Sequence, residues 1–375
     1  MILRNLGLFF CGLILMSSSC EKKIEPPGCI NCPNEDDTIS GTYAPTPYTL
    51  EAPAYLGQAI VPADNPMTAE GIELGRRLFY DPILSVDSTL SCASCHKAAN
   101  AFSDNSAKSR GVQGAIGLRN AMPLVNLAFN PNGFFWDGRR ASLEEQALDP
   151  VEDHLEMRDT WENVEKKLRR HADYPVRFRQ AFGIEQKKEI NRLLVVKAIA
   201  QFERTLISAN STFDQVFLRA ERFPTDAEQR GKMLFFFEPS DNFNDHPGCS
   251  HCHSGQHLTD FSFRNNGLDA VDDLANFLDL GRGGVNGNLF DNGKFRVPSL
   301  RNVALTAPYM HDGRFQTLEE VLDHYAAGGH NVLNEDANIR PFPLTEQQKK
   351  DLVTFLKVFT DTSFIQNPAF QNPFK

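Results

Sequence analysis

CASCH at residues 92–96 and CSHCH at residues 249–253 are the two stretches from which the rest of the chain can be read. Each places two thiols three residues apart and follows them directly with an imidazole. That is the pattern of covalent c-type haem attachment, in which the thiols bond the porphyrin edge and the histidine binds the iron. The expected attachment residues are thus Cys92, Cys95 and His96, and then Cys249, Cys252 and His253. One such motif can arise by accident. Two that consume every cysteine after residue 32 argue against it. Zinc or a thiol–disulfide centre would use the same cysteines, but neither requires the histidine in both copies. His251, His246 and His257 read as bystanders.

The first residues, MILRNLGLFFCGLILMSSSC, supply a positive charge at Arg4, an apolar run from Leu6 to Met16, and small serines before Cys20. This reads as an export signal. The run is shorter than the roughly 20 apolar residues needed to span a bilayer. It also resembles a lipoprotein signal over residues 1–19, although Ser17 stands where leucine is usual. On that reading Cys20 carries the lipid, residues 20–60 form a polar, Pro-rich tether, and the protein resides in the periplasm or cell envelope, held to the membrane only by this anchor. Cys29 and Cys32 form a further CxxC, but Pro33 follows it, so a third haem is excluded and a disulfide suits an oxidising compartment better. The formal net charge of −10 disfavours nucleic acid, which needs a clustered basic surface.

Around the two motifs the chain repeats itself. ELGRRLFYDP (73–82) precedes the first and QRGKMLFFFEP (229–239) the second; LRN and then FWDGRRASLEEQALDP (135–150) follow the first, LRN and then YMHDGRFQTLEEVLDHY (309–325) the second. Order at such a spacing implies duplication. The spacing of apolar residues in NVEKKLRRHA, EINRLLVVKAIAQFERTLI and TEQQKKDLVTFLKVF predicts helices, with Thr345 as a cap. The fold class is therefore mainly α: two related c-type cytochrome domains, over 61–224 and 225–375, with a boundary near RFPTD (222–226) and haems facing a shared interface. The 29 phenylalanines suit haem wrapping or ordinary core packing.

Setting Asp137-Gly138-Arg139 on Asp312-Gly313-Arg314 without a gap puts Ser142 on Thr317 and Pro150 on Tyr325. A phenolic oxygen can ligate haem iron; proline has no donor. The expectation is one closed haem, at His253 and Tyr325, and one open haem, at His96. Met310 and His324 are alternative ligands, and Tyr325 as a buried aromatic against the haem edge is the plainer reading.

Taken together, both CxxCH sites, FWDGR with LEEQ and DPVEDHLEM, and VPSLRNVALTAPYMHDG with TLEEVLDHY resemble the bacterial di-haem cytochrome c peroxidases and their MauG relatives, from about residue 60 to 370. The resemblance implies that Trp136 relays electrons between the haems. It implies that Gln146, Pro150 and Glu156 line the pocket over the His96 haem, and that Asn120 with the carbonyls of Thr306 and Pro308 holds calcium. It also sets His311 and Arg301 between the haems. Classical members carry methionine at the Tyr325 position; MauG-type members carry tyrosine. Many classical members also have a loop histidine that blocks the reactive iron, whereas residues 97–153 contain none. An open reactive haem that needs no reductive activation follows.

The implied activity is reduction of hydrogen peroxide to water with electrons from a small cytochrome c or similar envelope donor. Glu156 would move the proton between the peroxide oxygens, helped by Gln146; by itself this glutamate reads as an exposed acid at a helix start. The alternatives are a MauG-like oxidation of residues in a partner protein, which Tyr325 favours, and a non-enzymatic di-haem electron carrier.

Overall fold

Two helix crossings organise the fold of this computed structural model, which describes residues 37–236 and 247–374. The expected signal segment, Cys20, the Cys29–Cys32 pair and His246 lie outside the described residues. In the first half, α1 (Ala69–Tyr80) is followed by α2 (Cys92–Cys95), α3 (Leu143–Gln146), α4 (Asp149–Glu152), α5 (Trp161–Arg170), α6 (Tyr174–Phe182) and α7 (Arg192–Arg204). The second contains α8 (Asp226–Phe236), α9 (Gly283–Asn286), α10 (Leu318–Ala327), α11 (Glu346–Lys357) and α12 (Thr362–Gln366). Strand is confined to β1 (Phe263–Arg264) and β2 (Phe295–Arg296), antiparallel, with Phe263 opposite Arg296. The fold is mainly α, as the apolar spacing predicts.

The repeat is visible in side-chain contacts. α1 crosses α7 where Gly75 lies against the Ala198 carbonyl, so close that a Cβ there would stand 1.8 Å from the oxygen. α8 crosses α11 where Gly231 lies in the same way against the Asp351 carbonyl, at 2.2 Å. Four residues on from each glycine comes a buried phenylalanine, and each meets another: Phe79 with Phe202 at 5.3 Å, and Phe235 with Phe355 at 5.5 Å. Burial of each such ring stabilises by about 1.5–3 kcal/mol. Glycine is required at both crossings because only a bare Cα lets the backbones approach so closely.

Helix ends follow local chemistry. Thr345 Oγ1 accepts from the Gln348 amide at 3.2 Å while Gln348 Oε1 accepts from the Thr345 amide at 2.9 Å, a reciprocal cap. Thr317 caps in the same reciprocal way with Glu320, while Ser142 accepts from the Glu145 amide and the Glu145 carboxylate accepts from the Ala141 amide. After these matching caps the copies part. α10 runs unbroken through Tyr325, whereas the first copy stops after the single turn of α3 and restarts as α4 with Pro150 in its first turn. Pro150 has no amide hydrogen to continue the ladder from α3.

The halves meet through buried polar contacts and a returning tail. Arg301 is fully buried and makes a two-point ion pair with Asp214, both contacts at 2.9 Å, while also donating to the Gln256 carbonyl. Residues 362–374 pack back on the first half: Phe364 meets Phe102 at 5.7 Å, and Tyr80 donates its hydroxyl to the Phe370 carbonyl at 2.6 Å. α8 begins at Asp226, beside the predicted boundary, with Thr225 and Glu228 forming its cap.

Candidate active site

Each CxxCH motif folds into a tight turn that carries its histidine. In the first, the His96 amide donates to the Cys92 carbonyl at 2.9 Å, and in the second the His253 amide donates to the Cys249 carbonyl at 2.9 Å. The imidazoles are oriented alike. His96 Nδ1 donates to the Phe102 carbonyl at 2.9 Å, and His253 Nδ1 to the Leu258 carbonyl at 3.2 Å. Holding the proton on Nδ1 leaves the Nε2 lone pair for a metal. Burial pushes both imidazoles down, His253 to about 4, so each is neutral at pH 7, the form that ligates iron. The four thiols of the motifs are unpaired. Among the described residues no cluster of three or more His, Cys, Asp or Glu is disposed to hold a bare metal ion.

A cavity of about 700 Å³ opens beside His96, at the upper part of the range that holds small cofactors. Its wall brings together Cys92, Cys95, His96, Trp136, Gln146, Pro150 and Glu156. Residues read from distant parts of the sequence therefore converge. Gln146 ends α3, Pro150 stands in the first turn of α4, and Glu156 lies in the turn after α4 rather than at a helix start. That turn is fixed from outside: the Val112 amide donates to the Glu156 carbonyl at 2.9 Å, and Gly111 fits so closely beneath that a Cβ would stand 2.0 Å from the Leu155 carbonyl. Burial pushes the Glu156 carboxyl up to about 7; Asp153 and Asp149 add to the rise and Arg139 opposes it.

Trp136 is clamped between the halves. Its indole nitrogen donates to the Asn120 carbonyl at 2.8 Å, and its own carbonyl accepts the Arg296 amide of β2 at 2.7 Å. Arg296 lines the same cavity, is 6 % exposed, and has no acidic partner among the described residues; its Nε is buried without a hydrogen bond. Burial alone pushes its pKa down to about 10. Its Nη2 donates to the Met122 sulfur at 3.3 Å, and a guanidinium without an acid at the wall of a cavity that also holds two thiols and a neutral histidine fits a haem, whose propionates would supply the missing anion. Sequence reasoning missed Arg296 because nothing in FRVPS marks it as buried.

On the second half, Tyr325 and Met310 come together at Asn266, whose amide nitrogen lies 3.3 Å from the Tyr325 hydroxyl and 3.4 Å from the Met310 sulfur. Burial pushes the phenol up to about 12, while the Asn266 hydrogen bond acts to lower it. His324 turns elsewhere, with Nε2 3.0 Å from the Asn266 carbonyl. Asn266 was not singled out from sequence; an Asn-Asn-Gly turn between strand-like residues carries no sign of such a contact. His311 stacks on Phe295 at 3.7 Å, and its carbonyl accepts the Asn120 amide at 2.7 Å. Of the bystander histidines, His251 turns to the Gly248 carbonyl and His257 to the Leu56 carbonyl.

A family model described as di-haem cytochrome c peroxidase matches residues 69–222. The chain is 37% identical over 302 residues to the methylamine utilization protein MauG of Methylorubrum extorquens, covering 79% of this chain and 80% of that protein. It is 34% identical over 313 residues to the cytochrome c551 peroxidase of Nitrosomonas europaea, covering 84% and 85%. A solved structure of a MauG-like protein associated with microbial copper homeostasis superposes with a TM-score of 0.80 at 36% identity, over 88% of this chain and all of that one. The paired CxxCH turns, the haem-sized cavity and these likenesses agree: the chain belongs to the di-haem cytochrome c peroxidase and MauG family, oxidoreductases that carry two c-type haems.

Proposed function

We propose that this protein reduces hydrogen peroxide to water with two electrons from a small c-type cytochrome or similar donor, at the haem carried by Cys92, Cys95 and His96. The reaction balances as one peroxide, two electrons and two protons giving two waters. The observation that carries the reading is the convergence of Glu156, with its carboxyl pushed up to about 7, on the His96 cavity together with Gln146, Pro150 and Trp136. A haem held by Cys92, Cys95 and His96 would supply the electrons for cleavage of the O–O bond. With a pKa near the working pH, the Glu156 carboxylate takes the proton from one peroxide oxygen and returns it to the departing one. Gln146 orients the peroxide by hydrogen bonding. Pro150 presents no donor atom and leaves the cavity free for peroxide. Trp136, held at both its indole and its backbone, provides the route from the second haem. Brisk steady-state turnover with reduced cytochrome c and peroxide, without prior reductive activation, tests this reading; negligible turnover refutes it.

One observation favours a second reading. Tyr325 and Met310 share Asn266, and ligation of the second iron by Tyr325 rather than Met310 would stabilise its oxidised state, as suits oxidation of residues in a partner protein. A long-lived oxidised form with little turnover is its expected signature.

The same proposal includes one haem in each of the segments 61–224 and 225–375, and calcium at Asn120 and the carbonyls of Thr306 and Pro308. Asn120 Nδ2 donates to the Ser106 and Ala107 carbonyls, which leaves its Oδ1 for another partner, and oxygen donors suit calcium. A chelator that leaves the thermal midpoint unchanged excludes that ion. It also includes export to the periplasm, a signal over 1–19, and lipid attachment at Cys20, supported by the N-terminal residues. No described helix is long and apolar enough to cross a membrane.

A further inference from the structure

The His96 cavity contains a second acid that the proposed chemistry does not use. Glu203 stands one turn after Ile199 on α7, and both side chains line the cavity wall. It is 4 % exposed, and its Oε2 is buried without a hydrogen-bond partner. The apolar residues Leu84, Leu90, Val151 and Ile199 line the same cavity. Arg204, the cation that acts on Glu203, is committed to Glu144 at 2.8 Å.

Such a carboxyl contributes nothing to packing that leucine would not, and leaving it ionised and unpaired in an apolar wall is costly. It therefore holds a proton at neutral pH. Burial pushes it up to about 8, Glu144 of α3 adds to the rise, and Arg204 opposes it. From α2 Cys92 lies close enough to Glu203 to interact with its charge. From α1 Tyr80 lies near Phe202 with its hydroxyl engaged by the Phe370 carbonyl. Glu156 is the other titratable acid on the cavity wall that burial raises.

Cys92 is the covalent anchor of the haem, so whatever charge the haem carries acts on Glu203 through a medium of low dielectric. We propose that Glu203 is a positioning residue for the charge of the His96 haem: above neutral pH, where the carboxyl is ionised beside the oxidised haem, it takes one proton from solvent when the haem gains one electron from the reduced donor, and releases it when that electron leaves. Loss of one positive charge beside a carboxyl raises its pKa, so proton uptake accompanies reduction and the reduction potential falls as pH rises through the titration of Glu203. The inference rests on the haem at His96 and holds whether the enzyme's final oxidised substrate is a cytochrome or a protein residue.

The test is a spectroelectrochemical titration of the His96 haem in the holoprotein against pH, for the wild type, Glu203→Gln and Glu156→Gln. In the wild type the oxidised-to-reduced equilibrium changes by up to tenfold per pH unit, about 59 mV for one electron, around the Glu203 pKa of about 8. Glu203→Gln flattens that span, and Glu156→Gln flattens only the region around about 7. A reduced-minus-oxidised infrared difference spectrum of the wild type, which needs no variant to fold, shows the carbonyl stretch of an undissociated carboxyl growing on reduction above neutral pH. An unaltered pH slope in Glu203→Gln, or no carboxyl band in the wild-type difference spectrum, overturns the proposal. Loss of peroxide turnover with both signals intact would instead count against the proposed function alone.

Discussion

Trp136 donates its indole N–H to the backbone carbonyl of Asn120 at 2.8 Å, and the contact is buried. The indole that we propose as the route between the haems is thereby held by a hydrogen bond as well as by packing. Trp136→Phe removes the donor and part of the ring, and we expect a loss of about 1–3 kcal/mol in stability by urea unfolding. Both haems remain attached in the variant. Electron exchange between them slows by more than about tenfold, read by rapid mixing with a one-electron reductant.

Glu156→Gln keeps size and polarity but cannot take a proton. Peroxide consumption drops by about 10²–10⁴-fold with haem content unchanged. In the wild type, kcat/KM for peroxide rises with pH through about 7, because the ionised carboxylate is the base that starts the reaction. That rise is absent from the variant; a profile shared by both proteins rules Glu156 out as the base.

Asp214→Asn leaves the fully buried Arg301 charge without its carboxylate. Stability falls by about 3–5 kcal/mol, because the cost is that of an uncompensated buried cation rather than of one hydrogen bond. Replacing both partners, as Asp214→Asn with Arg301→Met, recovers part of the loss in a double-mutant cycle.

Gly231→Ala forces a methyl group to within 2.2 Å of the Asp351 carbonyl at the crossing of α8 and α11. Backbone cannot yield as a flexible side chain would, so a destabilisation of about 1–3 kcal/mol or more is expected. Gly75→Ala, which meets the Ala198 carbonyl at 1.8 Å, has the same effect on the first half. Thermal unfolding of the two holoprotein variants compares them directly.

Tyr325→Phe removes the hydroxyl that Asn266 meets at 3.3 Å. If that oxygen binds the second iron, the low-spin electron paramagnetic resonance signal of the oxidised protein changes while the signal of the first haem stays. An unchanged spectrum assigns Tyr325 to packing and leaves Met310, 3.4 Å from the same amide, as the ligand to examine.

The haem turns, the helix caps at Ser142, Thr317 and Thr345, and the repeat were legible in the chain itself because each rests on residues within one turn of another. Backbone amides and nearby side chains satisfy one another with little help from the rest of the fold. The divergence at Pro150 and Tyr325 was legible for the same reason: proline ends a helical ladder wherever it stands. Glu203 left one trace, an acid on the face of α7 that also carries Ile199, but a single charge on an apolar stripe does not say whether it is paired.

What only the tertiary structure decided was which polar groups lost their water and with whom. Arg301 found Asp214 across 87 residues, Arg296 found no acid among the described residues, and Asn266 met two candidate ligands 44 and 59 residues further on. The gap at Gly231 became a helix crossing only when Asp351 arrived against it. Desolvation is set by everything packed around a group, so the burial that raises Glu156 and Glu203 belongs to the assembled fold, whereas the CxxCH turns that fasten the haems belong to five residues each.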